Sequence, residues 1–390
     1  MKIRYPNYYK KFQCIAGACP DTCCAGWEIA VDPASEERYR KAQKQLKKTK
    51  PEFAGKLKKY IRNGYIISED VTCPFLNGDG LCDMYLELGP DSLCHTCKRH
   101  PRHMEDYGNL HEVMLLMSCP EAARLILKEN DGSFYTRDLP ERHGNMDGID
   151  EELLEILLEA RELIWEAAEI QVSQENEKIQ AKTKSLKSKM AFALALAHDI
   201  QRRIAKEDYE EAKLVIKRYQ KEGALDHFLS KWTGRDERAA LMTDFRDEFA
   251  ELDTICRDWP RLLESGQKTL DDSVMNPDHY ENSWKEFLEQ NPYLESGWTQ
   301  VFRYFLYSFM LSALYDKDVL TKMKMAVLCT MLIIELDFTD WLNGKRPDQV
   351  LHCYALARQV ENSDENRRKL EEFLKQEKFS ARRIINALAR

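Results

Sequence analysis

Twelve cysteines occur in 390 residues, and nine of them fall in the first 119. They run as Cys14-x4-Cys19-x3-Cys23-Cys24, then Cys73-x8-Cys82, then Cys94-x2-Cys97, with Cys119 in SCPEAA. Only Cys256, Cys329 and Cys353 lie beyond; each stands alone in an apolar helical pattern, where a thiol packs as a small hydrophobe. Thiolates ligate soft or borderline cations, and four of them around one centre point to zinc or iron–sulfur. Close spacing lets one loop present several sulfurs together with amides that donate to them. Adjacent Cys23 and Cys24 point in different directions, so they can serve two neighbouring centres, or one ligates while the other packs. The zinc spacing C-x2-C…C-x2-C and the ferredoxin run C-x2-C-x2-C-x3-C-P are both absent, which leaves the metal open.

Other groups near these thiols could also do chemistry. His95, His100, His103 and His111 could ligate or carry protons, although each reads first as a surface or capping histidine. Arg99 and Arg102 could clamp a carboxylate or phosphate. Trp27 and Tyr85 read as core residues. The chain has no G-x-G-x-x-G after a strand, no Walker A run, no H-E-x-x-H and no G-x-S-x-G. The radical spacing C-x3-C-x2-C is missing as well, since no cysteine follows Cys23 at the second interval.

A net charge of −8, with 43% apolar and 32% charged residues, suits a soluble globular chain. It offers no overall basic face for nucleic acid, and basic runs such as Lys41–Lys50 and Lys178–Lys189 read as solvated helix faces. MKIRYPNYYKKFQC has no apolar core of a signal peptide. The cysteines are thus expected in the reducing cytoplasm, where structural disulfides are rare. Val301–Tyr315 and Met325–Leu336 fall short of a membrane span and read as core helices. A peripheral membrane contact through either is compatible with the pattern.

The expected fold is mainly α, with a cysteine-rich, loop-containing metal domain over 1–130, a polar linker over 131–149 and an all-helical domain over 150–390. Pro33–Tyr65 reads as helical, with Asp32 or Ser35 as its cap. Asp150 caps an amphipathic helix with Leu153, Ile156, Leu157, Ala160 and Ile164 on one face. Further helices are expected at Ser185–Ala205, Tyr209–Gln220, Ala224–Trp232, Asp236–Trp259, Tyr280–Leu288, Trp298–Tyr315, Leu320–Leu336, Pro347–Val360 and Glu365–Gln376. No series of strands for a large sheet is evident.

At its cysteine motifs the chain resembles the flagellin lysine-N-methylase family, related to cysteine-rich zinc- or iron-chelating domains. The matching features are C-x4-C-x3-C-C-x-G-W at Cys14–Trp27 with Asp32 after it, and CPFL…GLC at Cys73–Cys82. They continue in T-C-x-x-x-P-R at Thr96–Arg102, SCPEAARLIL at Ser118–Leu127 and ARQVENSDENRRKL at Ala357–Leu370. The resemblance implies methyl transfer from S-adenosylmethionine to lysine ε-amines of flagellin or another lysine-bearing protein. It also implies an iron–sulfur cluster, of the 4Fe–4S kind, with zinc as the alternative. Carried over, Cys14, Cys19, Cys23, Cys24, Cys73, Cys82, Cys97 and Cys119 are the ligand candidates, enough for two four-sulfur sites or one cluster with a supporting set. Cys94 stands where the family pattern has serine, His100 replaces an aromatic residue, and Glu361-Asn362 replaces a histidine. Arg102 is the candidate to hold the carboxylate of S-adenosylmethionine. The competing readings are a non-catalytic zinc/iron-binding or metal-delivery protein, and an electron carrier.

Overall fold

The computed structural model describes the chain except residues 26–28, 69–71, 130–131, 141–143, 169–184, 231–237 and 389–390. Trp27 and most of the Lys178–Lys189 run therefore lie outside the described residues. The architecture is mainly α. In chain order the first part holds β1 (Lys2–Pro6), β2 (Ile29–Ala30), α1 (Pro33–Leu46), α2 (Pro51–Tyr60), β3 (Ile61–Arg62), β4 (Tyr65–Ile66), α3 (Asp83–Leu88), α4 (His95–Arg99), β5 (Arg102–Tyr107), β6 (Leu110–Leu115), α5 (Pro120–Leu127) and β7 (Phe134–Asp138). Helices follow: α6 (Glu151–Ala167), α7 (Leu186–Ile204), α8 (Tyr209–Tyr219), α9 (Ala224–Ser230), α10 (Arg238–Ala250), α11 (Trp259–Met275) and α12 (Pro277–Gln290). The last are α13 (Leu294–Phe309), α14 (Ala313–Asp316), α15 (Val319–Leu342), α16 (Gln349–Glu361), α17 (Asp364–Leu374) and α18 (Ala381–Leu388).

Two small sheets carry the non-helical part, in the orders β5-β6-β1-β7 and β2-β4-β3. The N-terminal strand is central in the first, parallel to β6 and antiparallel to β7. β5 and β6 form a hairpin closed at Tyr107↔Leu110, where Gly108 takes a positive φ of 70° that an L side chain rarely adopts. Neither sheet was anticipated, because each strand is short and most of their faces are polar. The polar stretch after residue 131 supplies β7, whose five residues all pair with β1. The sheet is tied to α6 by Arg161, whose Nη1 donates to Glu112 Oε2 at 2.7 Å with both side chains buried.

The helical part is built around α15. Asp318 caps it, accepting from Thr321 N at 3.0 Å, and α7, α11, α13, α16 and α17 pack about it. Its charged residues are paired inside the bundle: Lys322 with Glu371 at 2.7 Å, Glu335 with Arg238, and Asp337 with His352 at 2.6 Å. Among the described residues no helix is long and apolar enough to cross a membrane. The helix read over Asp236–Trp259 is instead α10, a break after Ala250, and a new helix that starts at Trp259 with Pro260 in its first turn. Cys256 therefore lies in that break rather than on a helix, and it is buried there. The helix expected across Pro33–Tyr65 divides at Lys47–Lys50, because Pro51 starts α2, and it gives way to β3 at Ile61.

Two cores result. A small one, with Val31, Tyr39, Phe53, Leu57, Phe75 and Cys94 among its buried residues, underlies α1–α4. The large one runs through the helical bundle and takes in Tyr8, Phe12, Leu115, Met117 and Cys119 from the first part of the chain.

Candidate metal and cofactor site

Backbone pairing gathers one group of thiols on the small core. Cys73 N donates to Cys24 O at 2.7 Å beside the Ala25↔Thr72 bridge. A turn from Cys73 O to Leu76 N leads to the Leu76↔Cys82 bridge. Cys82 is the N-cap of α3 and Cys94 the N-cap of α4. Asp32 joins this group to α1: its carboxylate accepts from Ser35 N at 2.9 Å and from His95 N at 3.0 Å. Those bonds, Ser35 first, hold its pKa well below the usual carboxylate range. Cys24, Cys73, Cys82, Cys94 and Cys97 are linked electrostatically to one another.

A second group forms where the first loop meets the bundle. Cys23 feels Cys14 and Cys119, and Cys119 feels Cys14 and Cys19. Ala16 N donates to Cys14 Sγ at 3.4 Å. Cys119 is the N-cap of α5. Helix α16 closes this group through one buried arginine. Arg358 Nε donates to Ser118 O at 3.0 Å, while its Nη1 bonds the Asp21 carboxylate between Cys19 and Cys23. One turn on, Glu361 Oε2 accepts from Ser118 N at 3.0 Å and Oε1 accepts from the Tyr304 hydroxyl. Between them, Gln359 Oε1 accepts from the amides of Ile255 and Cys256, each at 2.8 Å. ARQVEN thus ties α16 both to the thiol loop and to the break before α11. Arg358, Tyr304 and Asp21 escaped the sequence reading, and Glu361 entered it only as a departure from the resembled family's histidine. The signal was present, since Arg358-Gln359 interrupt the apolar run of α16 where solvent should have been expected and is not.

Burial disfavours the thiolate at Cys19, Cys73, Cys82 and Cys119, whereas thiol pairing favours it at Cys24 and Cys94. The Cys23 thiol donates to Cys24 and that of Cys97 donates to Cys94, which pulls both acceptors down to about 7. Their donors move up correspondingly. Burial pushes Cys73 up to about 12 and Cys119 up to about 11, while the amides of Phe75, and of Ala122 and Glu121, pull the other way. Amides aimed at sulfur favour the thiolate and are what metal-bound cysteines receive.

In chemical kind the donor set therefore suits zinc or an iron–sulfur cluster. In geometry it is looser: among the described residues no three His, Cys, Asp or Glu side chains converge closely enough to hold a metal ion. The histidines are exposed, paired with carboxylates or held neutral by burial. His95 is exposed, His103 pairs with Glu105 at 2.5 Å and His111 with Asp106 at 3.6 Å. Burial, with the charge of Arg358, drives His100 down to about 4 and keeps it neutral. Arg102 lies at the start of the thiol loop, donating to Phe12 O at 3.3 Å with its guanidinium over the Phe12 ring at 5.0 Å. Glu361 is pushed up to about 7 by burial, against the pull of Tyr304 and Ser118. Elsewhere a polar cleft of 530 Å³ opens between α11, α12 and the end of α15, lined by Arg261, Lys268, His279 and Lys345 among others.

No solved structure matches the chain. The lysine-N-methylase of Salmonella typhimurium is 31% identical over 133 residues, 33% of this chain and 33% of that protein. The flagellar biosynthetic protein FliU of Salmonella muenchen is 31% identical over 133 residues, 33% of this chain and 79% of that protein. The aligned stretch thus spans about a third of the length of the lysine-N-methylase. Residues 177–385, which carry α15 and the α16 clamp, match the family model for the FliB lysine N-methylase C-terminal domain. On these likenesses, the chain belongs to the FliB lysine N-methylase family.

Proposed function

We propose that this chain is a protein-lysine N-methyltransferase that moves a methyl group from S-adenosylmethionine to lysines of a flagellin-type protein. Cys14, Cys19, Cys23, Cys24, Cys73, Cys82, Cys97 and Cys119 would hold its iron–sulfur centre, or zinc in its place. The observation that carries this reading is the α16 clamp. Arg358 and Glu361, on the helical domain shared with the family, grip the backbone and side chains that flank Cys19, Cys23 and Cys119. The helical domain that matches the family model thus reaches the cysteine loop, which supports the reading of the two as one working unit.

In the reaction the lysine nitrogen attacks the methyl carbon, the carbon–sulfur bond breaks, and S-adenosylhomocysteine leaves. The lysine must first lose its proton to a base. A bound metal would supply a Lewis-acidic point for the amino-acid end of the cofactor, in place of the missing glycine-rich loop. Arg102, beside that loop, would pair with the cofactor's carboxylate. The test is transfer of labelled methyl to flagellin by anaerobically purified protein, with iron and sulfide measured on the same sample. Transfer at full rate by metal-free protein would remove the centre from the chemistry, and metal-replete protein that methylates no lysine would remove the enzyme reading. The second reading, a non-catalytic zinc- or iron-binding module, draws on Cys24, Cys73, Cys82, Cys94 and Cys97 alone. Cys73, Cys82, Cys94 and Cys97 pack on their own small core, with Cys24 linked to them electrostatically, as a purely structural centre would be.

A further inference from the structure

Residues 33–62, which form α1, α2 and β3, hold eleven lysines and arginines against Glu36, Glu37 and Glu52, a net +8. The whole chain is −8, so the other 360 residues carry −16. Ten of the eleven cations are exposed. The helices turn Tyr39, Phe53 and Leu57 into the small core beneath the thiols, leaving their outer faces to charge. Some of that charge is neutralised locally: Arg40 pairs with Glu37 at 2.5 Å and Lys56 with Asp83 at 2.8 Å. Lys44, Lys47, Lys48, Lys58 and Arg62 have no ion-pair partner among the described residues. Helix dipoles favour a cation or two in each last turn. They do not favour Lys44, Lys47 and Lys48 at spacings of three and four, where like charges repel.

We infer that the basic α1–α2 hairpin docks an acidic patch on the protein acceptor, which deepens the methylase reading and rests on it. The size of the opposing charge selects the partner. A long nucleic acid or a flat anionic bilayer would bring its charge against the −16 of the remaining chain as well as against the hairpin, whereas a bounded acidic patch meets the hairpin alone. The hairpin shares its core with Cys94, Cys73 and Cys97, so a protein held there is held beside the thiols. Acceptor lysines would be repelled by the hairpin and drawn to the acidic remainder. The acceptor is thereby gripped by one patch and presents its lysine from another.

The experiment uses full-length protein and fluorescein-labelled poly-glutamate, followed by anisotropy at low and raised salt. The wild type is expected to bind, with affinity falling steeply in salt, and Lys44→Glu/Lys47→Glu/Lys48→Glu to weaken binding more than about tenfold. Lys58→Glu/Arg62→Glu, at the other end of the hairpin, gives a second reading should the triple variant melt early. Unchanged affinity in both variants overturns the inference. So does tighter binding of an RNA of equal length or of phosphatidylglycerol vesicles, or self-association in sedimentation that occupies the hairpin. Against a protein acceptor the triple variant should raise KM and leave kcat unaltered. Poly-glutamate binding without any methyl transfer would sink the enzyme reading and leave the acidic-partner surface standing.

Discussion

The two groups of thiols meet at Cys23 and Cys24 but are held by different parts of the molecule. Cys24, Cys73, Cys82, Cys94 and Cys97 are spaced by short backbone bridges on a private core, and Cys94 is buried within it. Cys14, Cys19, Cys23 and Cys119 are gathered from a loop and a helix cap, with Cys14 and Cys23 exposed, and what closes them is a helix more than two hundred residues away in sequence. Closed sites are what structural metals occupy, and open ones leave a coordination position for chemistry. The contrast teaches that one cysteine-rich stretch can be walled by two different parts of the molecule, a small core of its own and a distant helix.

The sharpest way to break that division is to remove a ligand candidate from each side. Under the proposed function, Cys73→Ala or Cys97→Ala should lower the thermal midpoint by roughly 10 °C, a loss of about 3 kcal/mol, because a bound centre would brace the small core. Cys14→Ala should leave the midpoint within about 2 °C of the wild type and abolish methyl transfer. Equal destabilisation by all three, measured by circular dichroism beside metal content, would merge the two groups into one. A smaller effect is expected at the clamp. Arg358→Ala strands the Asp21 carboxylate and the Ser118 carbonyl, at a cost of roughly 2 kcal/mol. Under the proposed function it should deplete metal from Cys14, Cys19, Cys23 and Cys119 while Cys24, Cys73, Cys82, Cys94 and Cys97 keep theirs. Arg358→Lys keeps the charge but loses the fork, so it should recover part of the stability and little of the metal. If urea midpoints and metal content are untouched by Arg358→Ala, the clamp does not hold the loop.

Much of this was legible in the sequence, for reasons that differ by region. The amphipathic spacing of Leu153, Ile156, Leu157, Ala160 and Ile164 fixes α6 locally, and Asp150 caps it as expected, accepting from Leu153 N at 3.0 Å. The thiols announce themselves by type and number. The strands did not, because β1 finds its partners more than a hundred residues away and carries no alternating pattern strong enough to stand alone. The clamp was quoted as a motif and not understood. A charge buried by a partner two hundred residues off looks, in sequence, like any solvated arginine. Cys94, which stands where the resembled family has serine, pairs its thiol with that of Cys97.

The finest test of the division concerns protons on α16. The Glu361 carboxyl moves from an ordinary 4.5 up to about 7 on folding, chiefly through burial. The folded chain therefore keeps a proton that the unfolded chain releases between those values. Stability contributed by this group is complete below about pH 4.5 and is lost as pH rises through 7. Glu361→Gln cannot titrate, and its carboxamide can still accept from Ser118 N and donate to the Tyr304 oxygen. Midpoints of the wild type and Glu361→Gln, measured from pH 5 to about 8, should diverge with rising pH, the wild type falling relative to the variant. Parallel curves would mean that Glu361 is charged throughout. The pH at which they part should be the same in a Cys73→Ala background, since Glu361 bonds the backbone beside Cys119 and nothing in the group that holds Cys73. A shift there would show the two groups to be coupled through Cys23 and Cys24 rather than walled off from each other.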